Sequence, residues 1–285
     1  MDNTLALTVK GIEIHGLHWG NPEGEPVLAL HGWLDNAASF SQLAPFLRDY
    51  HIVAIDLPGH GLSGHWPAYA HYHLWAGVED IECVLDQLGW DQCHLLGHSM
   101  GAAMATLYAG TFPERLKSLT LIEAIGPMAG DFEGAPKRLA DAIRSMKQYS
   151  PQQRNRDNLE SFVASRMDGH LKLSQASAEL IMSRSVYEHD EGFSWRNDKR
   201  LRYTSMMRLP EELIGSFIRA ISCPTLGIFA NDGLFTQEQL ELRWSQLKNA
   251  DPVIWLDGGH HLHMDGDVKA IADHILAFWR QRGNA

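Results

Sequence analysis

Short, unbroken apolar runs recur along the chain, with helical stretches between them. Val27-Leu28-Ala29-Leu30 ends at His31-Gly32, Ile52-Val53-Ala54-Ile55 at Asp56, His94-Leu95-Leu96 at Gly97 and Leu119-Thr120-Leu121-Ile122 at Glu123. Thr225–Phe229 follows Pro224, and Val253–Leu256 precedes Gly258-Gly259. A run with no polar alternation reads as a strand covered on both faces, as in a parallel sheet flanked by helices. Ile12–Trp19 alternates instead, which suits a half-buried antiparallel edge. Between the runs, Ala76–Leu88 sets Val78, Ile81, Val84, Leu85 and Leu88 on one side, and Ala102–Ala109 is small and apolar throughout. Thr236 and Gln239 form a capping box, and Ile271, Ile275, Phe278 and Trp279 make an apolar face on a last helix. Strand alternating with helix predicts an α/β fold.

One interval breaks the rhythm. About a hundred residues separate Glu123 from Pro224, far more than a connection in a compact domain needs. Helical patterns at Arg138–Tyr149, Leu159–Met167 and Ala176–Ser185 fall inside it. The expectation is a core domain, 1–125 and 209–285, with an inserted helical cap over 126–208.

Hydrophobic residues make up 45% of the 285 positions, enough for a large core. The net charge of −11 disfavours nucleic acid and anionic membrane surfaces as partners. Met1–Lys10 lacks a basic segment followed by an apolar one, and no run suits a membrane span. Cys83, Cys93 and Cys223 are odd in number and scattered, so reduced core residues and a cytoplasmic location are expected.

The chemistry centres on Gly97-His98-Ser99-Met100-Gly101, which lies between an apolar strand and a small-residue helix. A serine on such a turn is strained and exposed at the carboxyl edge of the sheet, above a helix N-terminus that favours negative charge. A serine hydroxyl needs a base. His260 stands on the loop between the last strand and the last helix, at the same sheet edge. For the acid behind it, Asp232 is favoured, since 28 positions to His260 accommodate a helix and a strand; Glu123, ending the preceding strand, is the alternative. Backbone N–H groups of Trp33, after Leu30-His31-Gly32, and of Met100 are expected to form an oxyanion hole.

His261-x-His263-x-Asp265 has the look of a metallo-hydrolase ligand run, but Gly266 stands where the next histidine belongs. No metal or organic cofactor is therefore expected, and His263 is read as a buried histidine bonded to backbone. For the substrate pocket the candidates are His31, His98 and the cap residues Met146, Met182 and Met207. Arg138, Arg144, Arg166, Arg184 and Arg196 of the cap could meet a carboxylate, though solvated helix faces account for most of them.

Four landmarks, His31-Gly32-Trp33, Asp56-Leu57-Pro58-Gly59-His60-Gly61-Leu62-Ser63, Gly97–Gly101 and Gly259-His260, together resemble the α/β-hydrolase superfamily. They most resemble its cytosolic esterase and serine-hydrolase-like branch, to which Gly192–Leu201 also points. The resemblance implies a mostly parallel eight-stranded sheet flanked by helices. It also implies a tight structural loop at Asp56–Ser63 and hydrolysis of a small-molecule ester, with an apolar acyl group, through an acyl-enzyme on Ser99. Ile122-Glu123-Ala124-Ile125 resembles a run in which some dehalogenase-branch enzymes carry their acid, which keeps Glu123 in play. Two rival expectations remain: a hydrolase-fold ligand sensor or accessory protein with little turnover, and the same residues acting on thioesters, lactones, carbon–carbon bonds or in perhydrolysis.

Overall fold

A computed structural model describes residues 3–148, 156–169 and 171–282. Its centre is an eight-stranded sheet in the order β1-β2-β4-β3-β5-β6-β9-β10. The strands are β1 (Thr4–Val9), β2 (Ile12–Gly20), β3 (Pro26–Leu30), β4 (His51–Ile55), β5 (Cys93–His98), β6 (Leu116–Ile122), β9 (Thr225–Asp232) and β10 (Ile254–Gly259). From β4 onward neighbours are parallel, while β2 is antiparallel to both β1 and β4. Ile12–Trp19 is therefore second in the sheet and not its edge. The edge is β1, where Leu5, Leu7 and Val9 turn inward in an alternation too short to stand out in the sequence.

The continuous apolar runs do cover two faces. Leu28, Leu30, Val53, Ile55 and Leu95 pack under α1 (Ala76–Leu88), α2 (Met100–Thr111) and α6 (Glu211–Ala220). Their alternates Val27, Ala29, Ile52, Ala54 and Leu96 pack against Ile271, Ile275, Phe278 and Trp279 of α9 (Val268–Arg282). Helix α2 is buried along nearly its whole length, which its small side chains permit. The capping box at Thr236 opens α7 (Gln237–Trp244).

The long interval holds α3 (Ala135–Gln148), α4 (Glu160–Met167) and α5 (Gln175–Ser185); Tyr149 lies outside the described residues. It is not purely helical. An antiparallel pair, β7 (Val186–His189) and β8 (Gly192–Trp195), follows α5. Four-residue strands carry too few alternations to be read from periodicity. Phe162, Ile181, Met182 and Val186 form a small core there, joined by Met264 from the short α8 (Leu262–Asp265). The chain then returns through α6, which packs on α2.

Polar ties hold this segment down. Asp56 accepts from the N–H groups of Ala37 and Leu62, and its buried carboxylate meets Arg184 Nη2 at 2.7 Å. Asn197 Oδ1 accepts from Gly61 N, and Asp198 N donates to Gly59 O. The Asp56–Ser63 loop is thus a dock for the segment as well as a tight turn. The three cysteines are free. Among the described residues no helix is long and apolar enough to cross a membrane.

Candidate active site

The carboxyl ends of β5, β6, β9 and β10 lie side by side, the edge where open α/β sheets place their ligands. Ser99 follows β5 and has φ +52° and ψ −114°, the strained conformation expected of a serine on this turn. Its N–H donates to Ile122 O at 2.9 Å, so the turn is fastened to the end of β6. The flanking glycines are required by contact. A β-carbon on Gly97 would lie 2.6 Å from Ala102 Cα, and one on Gly101 would lie 2.1 Å from Leu30 O.

His260 is buried between two side chains. Its Nε2 is 2.9 Å from Ser99 Oγ, and its Nδ1 is 2.9 Å from Glu123 Oε2. An ionised carboxylate only accepts, so Nδ1 carries the proton it donates to Glu123. The lone pair of neutral His260 then sits on Nε2, facing the hydroxyl of Ser99.

The carboxylate hydrogen-bonded to His260 is that of Glu123, not that of Asp232, which the sequence favours. Glu123 is 1% exposed and adopts φ +60° where β6 ends. Its Oε1 accepts from Ala230 N at 2.7 Å and its Oε2 from Leu234 N at 3.2 Å. Strand β9 therefore contributes backbone donors. Asp232 pairs through its backbone with Gly259 and leaves its side chain exposed; neighbouring Asn231 donates to Asp257. Counting positions could not separate the two acids, because adjacent strand ends reach the same edge. Gly233 is the residue whose missing side chain admits Glu123.

His98 is buried, and its Nε2–H donates to His260 O at 2.9 Å. It lines no pocket. It fastens the loop carrying His260, and burial holds its pKa well below 6.5, so it stays neutral. His31 is likewise inside: Nδ1–H donates to Gly32 O at 2.7 Å, and Nε2 accepts from Leu57 N at 2.9 Å. Met182 is fully buried in the small core of the inserted segment, Met146 is half-buried on α3 and Met207 is 48% exposed. None of these five pocket candidates lines the cavity of about 170 Å³ that Trp33, Met100 and Met104 help to wall, and Ser99 does not line it either.

Trp33 and Met100 are neighbours across this cavity. The close approach of Gly101 to Leu30 O and His31 O brings the end of β3 over the first turn of α2. Trp33, two residues beyond His31, is therefore held beside the turn that carries Met100.

The His261–Asp265 run splits three ways. His261 Nε2–H points to Asp35 Oδ2 at 3.2 Å. His263 Nε2 is 2.7 Å from Ser39 Oγ, so its partner is a side chain and not backbone. Asp265 accepts from Ser174 and Ser177. Asp35, His98 and His261 bring three potential ligand atoms within 4.8 Å of one another. The guanidinium of Arg166 already supplies positive charge there, ion-paired with Asp35 and 3.3 Å from His261 Nε2. Burial opposes ionisation of Asp35, but His261 and Arg166 outweigh it and hold its pKa well below the usual carboxylate value. Arg166 and Arg184 are thus not on solvated faces; each meets a buried carboxylate of the sheet domain.

Residues 25–267 match the family model described as alpha/beta hydrolase fold. A probable serine hydrolase of Drosophila melanogaster is 30% identical, over 97% of this chain and 87% of its own length. The crystal structure of a hypothetical protein from Pseudomonas aeruginosa PAO1 superposes with a TM-score of 0.90 at 35% identity, covering 100% of both chains. A thioesterase domain from the curacin biosynthetic pathway superposes with a TM-score of 0.83 at 26% identity, over 96% of this chain and 98% of its own.

Proposed function

Because this chain belongs to the alpha/beta hydrolase fold family, we propose that it is a serine hydrolase cleaving carboxylic esters through an acyl-enzyme on Ser99. The observation that carries the reading is the unbroken line Ser99–His260–Glu123, with 2.9 Å at each link. Ser99 Oγ attacks the ester carbonyl carbon while His260 Nε2 takes its proton. The negative oxygen that forms is held by the N–H groups of Trp33 and Met100, and Glu123 stabilises the imidazolium. His260 then returns its proton to the leaving alcohol. A water, deprotonated by the same nitrogen, attacks the acyl carbon and releases the acid and Ser99. The residues 126–208 serve as a cap over the site. The sequence supports Asp232 less well than the hydrogen bonds support Glu123.

Thioesters are a second reading. The likeness to a thioesterase domain at 26% identity favours it, and the steps would be the same with a thiol leaving.

The test is Ser99→Ala, assayed with p-nitrophenyl butyrate and with labelling by a fluorophosphonate. The expected result is loss of labelling and a fall in kcat of at least ~10³-fold. Wild-type turnover by the variant overturns the assignment. Labelled wild-type protein that turns over neither esters nor thioesters supports a ligand sensor instead.

A further inference from the structure

For the chemistry proposed above, two loops must keep a fixed spacing: residues 31–36, which carry Trp33, and the loop that carries His260. One carboxylate joins them. Asp35 follows Trp33 by two residues and is buried, and its Oδ2 accepts from Nε2–H of His261, the residue next to the base, at 3.2 Å. The same oxygen faces His98 Nδ1 at 3.9 Å, and His98 is the residue that donates to His260 O. Gly32 closes against both: a β-carbon there would lie 3.0 Å from Asp35 Oδ2 and 3.0 Å from His98 Nδ1.

The first of these loops needs to be held. Leu34, between Trp33 and Asp35, has φ +61°, a left-handed conformation unfavourable for any residue with a β-carbon. Such a conformation persists where the surrounding structure fixes the residues on either side. Here much of that fixing comes from the inserted segment. Trp33 Nε1–H donates to Leu201 O at 2.9 Å, and Asn36 Nδ2–H donates to Ile181 O at 2.8 Å.

The carboxylate of Asp35 is held in the same way. A buried ionised group needs a partner of opposite charge. Arg166, on α4 of the inserted segment, donates from Nη2 to Asp35 Oδ1 at 2.5 Å. That nitrogen also packs 3.3 Å from His261 Nε2. One guanidinium thus sits where the loop of Trp33, the loop of His260 and the inserted segment meet.

We propose that Arg166 is a positioning residue for the hydrolysis: acting through Asp35, it sets the spacing between the loop of Trp33 and the loop of His260. The inserted segment then completes the catalytic geometry as well as covering it. The inference rests on the serine-hydrolase reading above.

The experiment measures kcat and KM for p-nitrophenyl butyrate on the full chain and on Arg166→Met, Arg166→Lys, Asp35→Asn and the Arg166→Met/Asp35→Asn double variant, with circular dichroism confirming that each is folded. Methionine keeps the packing of the arginine stem and removes its charge and donors. Arg166→Met and Asp35→Asn should each lower kcat roughly 30- to 100-fold with KM within about twofold of wild type, because a displaced catalytic group costs turnover and not ground-state binding. Arg166→Lys, which keeps the charge, should stay within about fivefold of wild-type kcat. The double variant should be no more than about threefold slower than the slower single variant, since both changes break one tie. Asp35→Asn and Arg166→Lys, the conservative pair, carry the test if Arg166→Met does not fold. Wild-type kcat in folded Asp35→Asn or Arg166→Met, a defect in KM alone, no rescue by lysine, or losses that multiply in the double variant overturn the positioning role and leave the hydrolase reading standing. Wild-type protein that turns over neither esters nor thioesters overturns both.

Discussion

A β-carbon placed on Gly233 would lie 2.5 Å from both carboxylate oxygens of Glu123. Gly233 and Glu123 are on neighbouring strands' ends, and the carboxylate occupies the volume a side chain would need. Gly233→Ala should therefore displace Glu123 from His260 and lower kcat about 10²-fold with the fold intact. Direct substitution separates the two acids. Glu123→Gln should lower kcat by roughly 10⁴-fold, as loss of the charge and of the correct tautomer does in such an arrangement, whereas Asp232→Asn should change it less than about twofold. Steady-state kinetics on the three variants decides the matter, and a larger loss in Asp232→Asn would restore Asp232 as the acid.

The bond from His98 to the His260 carbonyl makes a second, indirect support. His98→Ala should leave KM nearly unchanged and lower kcat about 10²-fold by loosening the base. His98→Gln, which can place an amide N–H near the same point, should recover most of the loss. Equal defects in both variants, or a defect in KM alone, would count against a positioning role.

Arg184 and Asp56 form a buried ion pair between the inserted segment and the sheet domain. Removing one partner strands the other charge, at a cost of about 3 kcal/mol. Arg184→Ala should lower Tm by roughly 6–12 °C. Arg144→Ala, which loses only an exposed pair with Asp141, should shift Tm by less than about 2 °C. Differential scanning fluorimetry of the pair is the check.

Burial lowers the pKa of His60 to about 3, of His263 to about 3 and of His94 to about 4. Below the unfolded value near 6.5, the unfolded chain binds protons that these folded side chains refuse, so stability falls as pH drops. Asp80 acts oppositely: burial raises it to about 6, so between pH 6 and 4 the folded state binds the extra proton. His31 and His98, whose pKa values burial also lowers, add to the histidine side, so the balance is a loss of stability as pH falls through that window. Urea midpoints measured from pH 7 to 4.5 should decline steadily; a flat or rising series would contradict the balance.

Local chemistry made much of this molecule legible. Runs such as Val27–Leu30 and Ile52–Ile55 are apolar at every position because both faces of their strands are covered, and that pattern needs no long-range knowledge. The turn at Ser99 is equally local, since Gly97 and Gly101 answer to contacts within a few residues or with the adjacent strand. The hairpin Val186–Trp195 and the edge strand Thr4–Val9 were harder, because each shows too few alternations to distinguish from a loop.

From its order of residues alone, the chain determined a sheet covered on both faces, a strained serine at its carboxyl edge and a histidine on a loop reaching that edge. Which acid stands behind the histidine, and which side chains wall the cavity, was decided only by tertiary structure. The reason is physical. Glu123, Gly233 and His260, like Asp35 and Arg166, belong to different elements, and whether a side chain or empty space meets a neighbour depends on how those elements pack, which no spacing along the chain encodes.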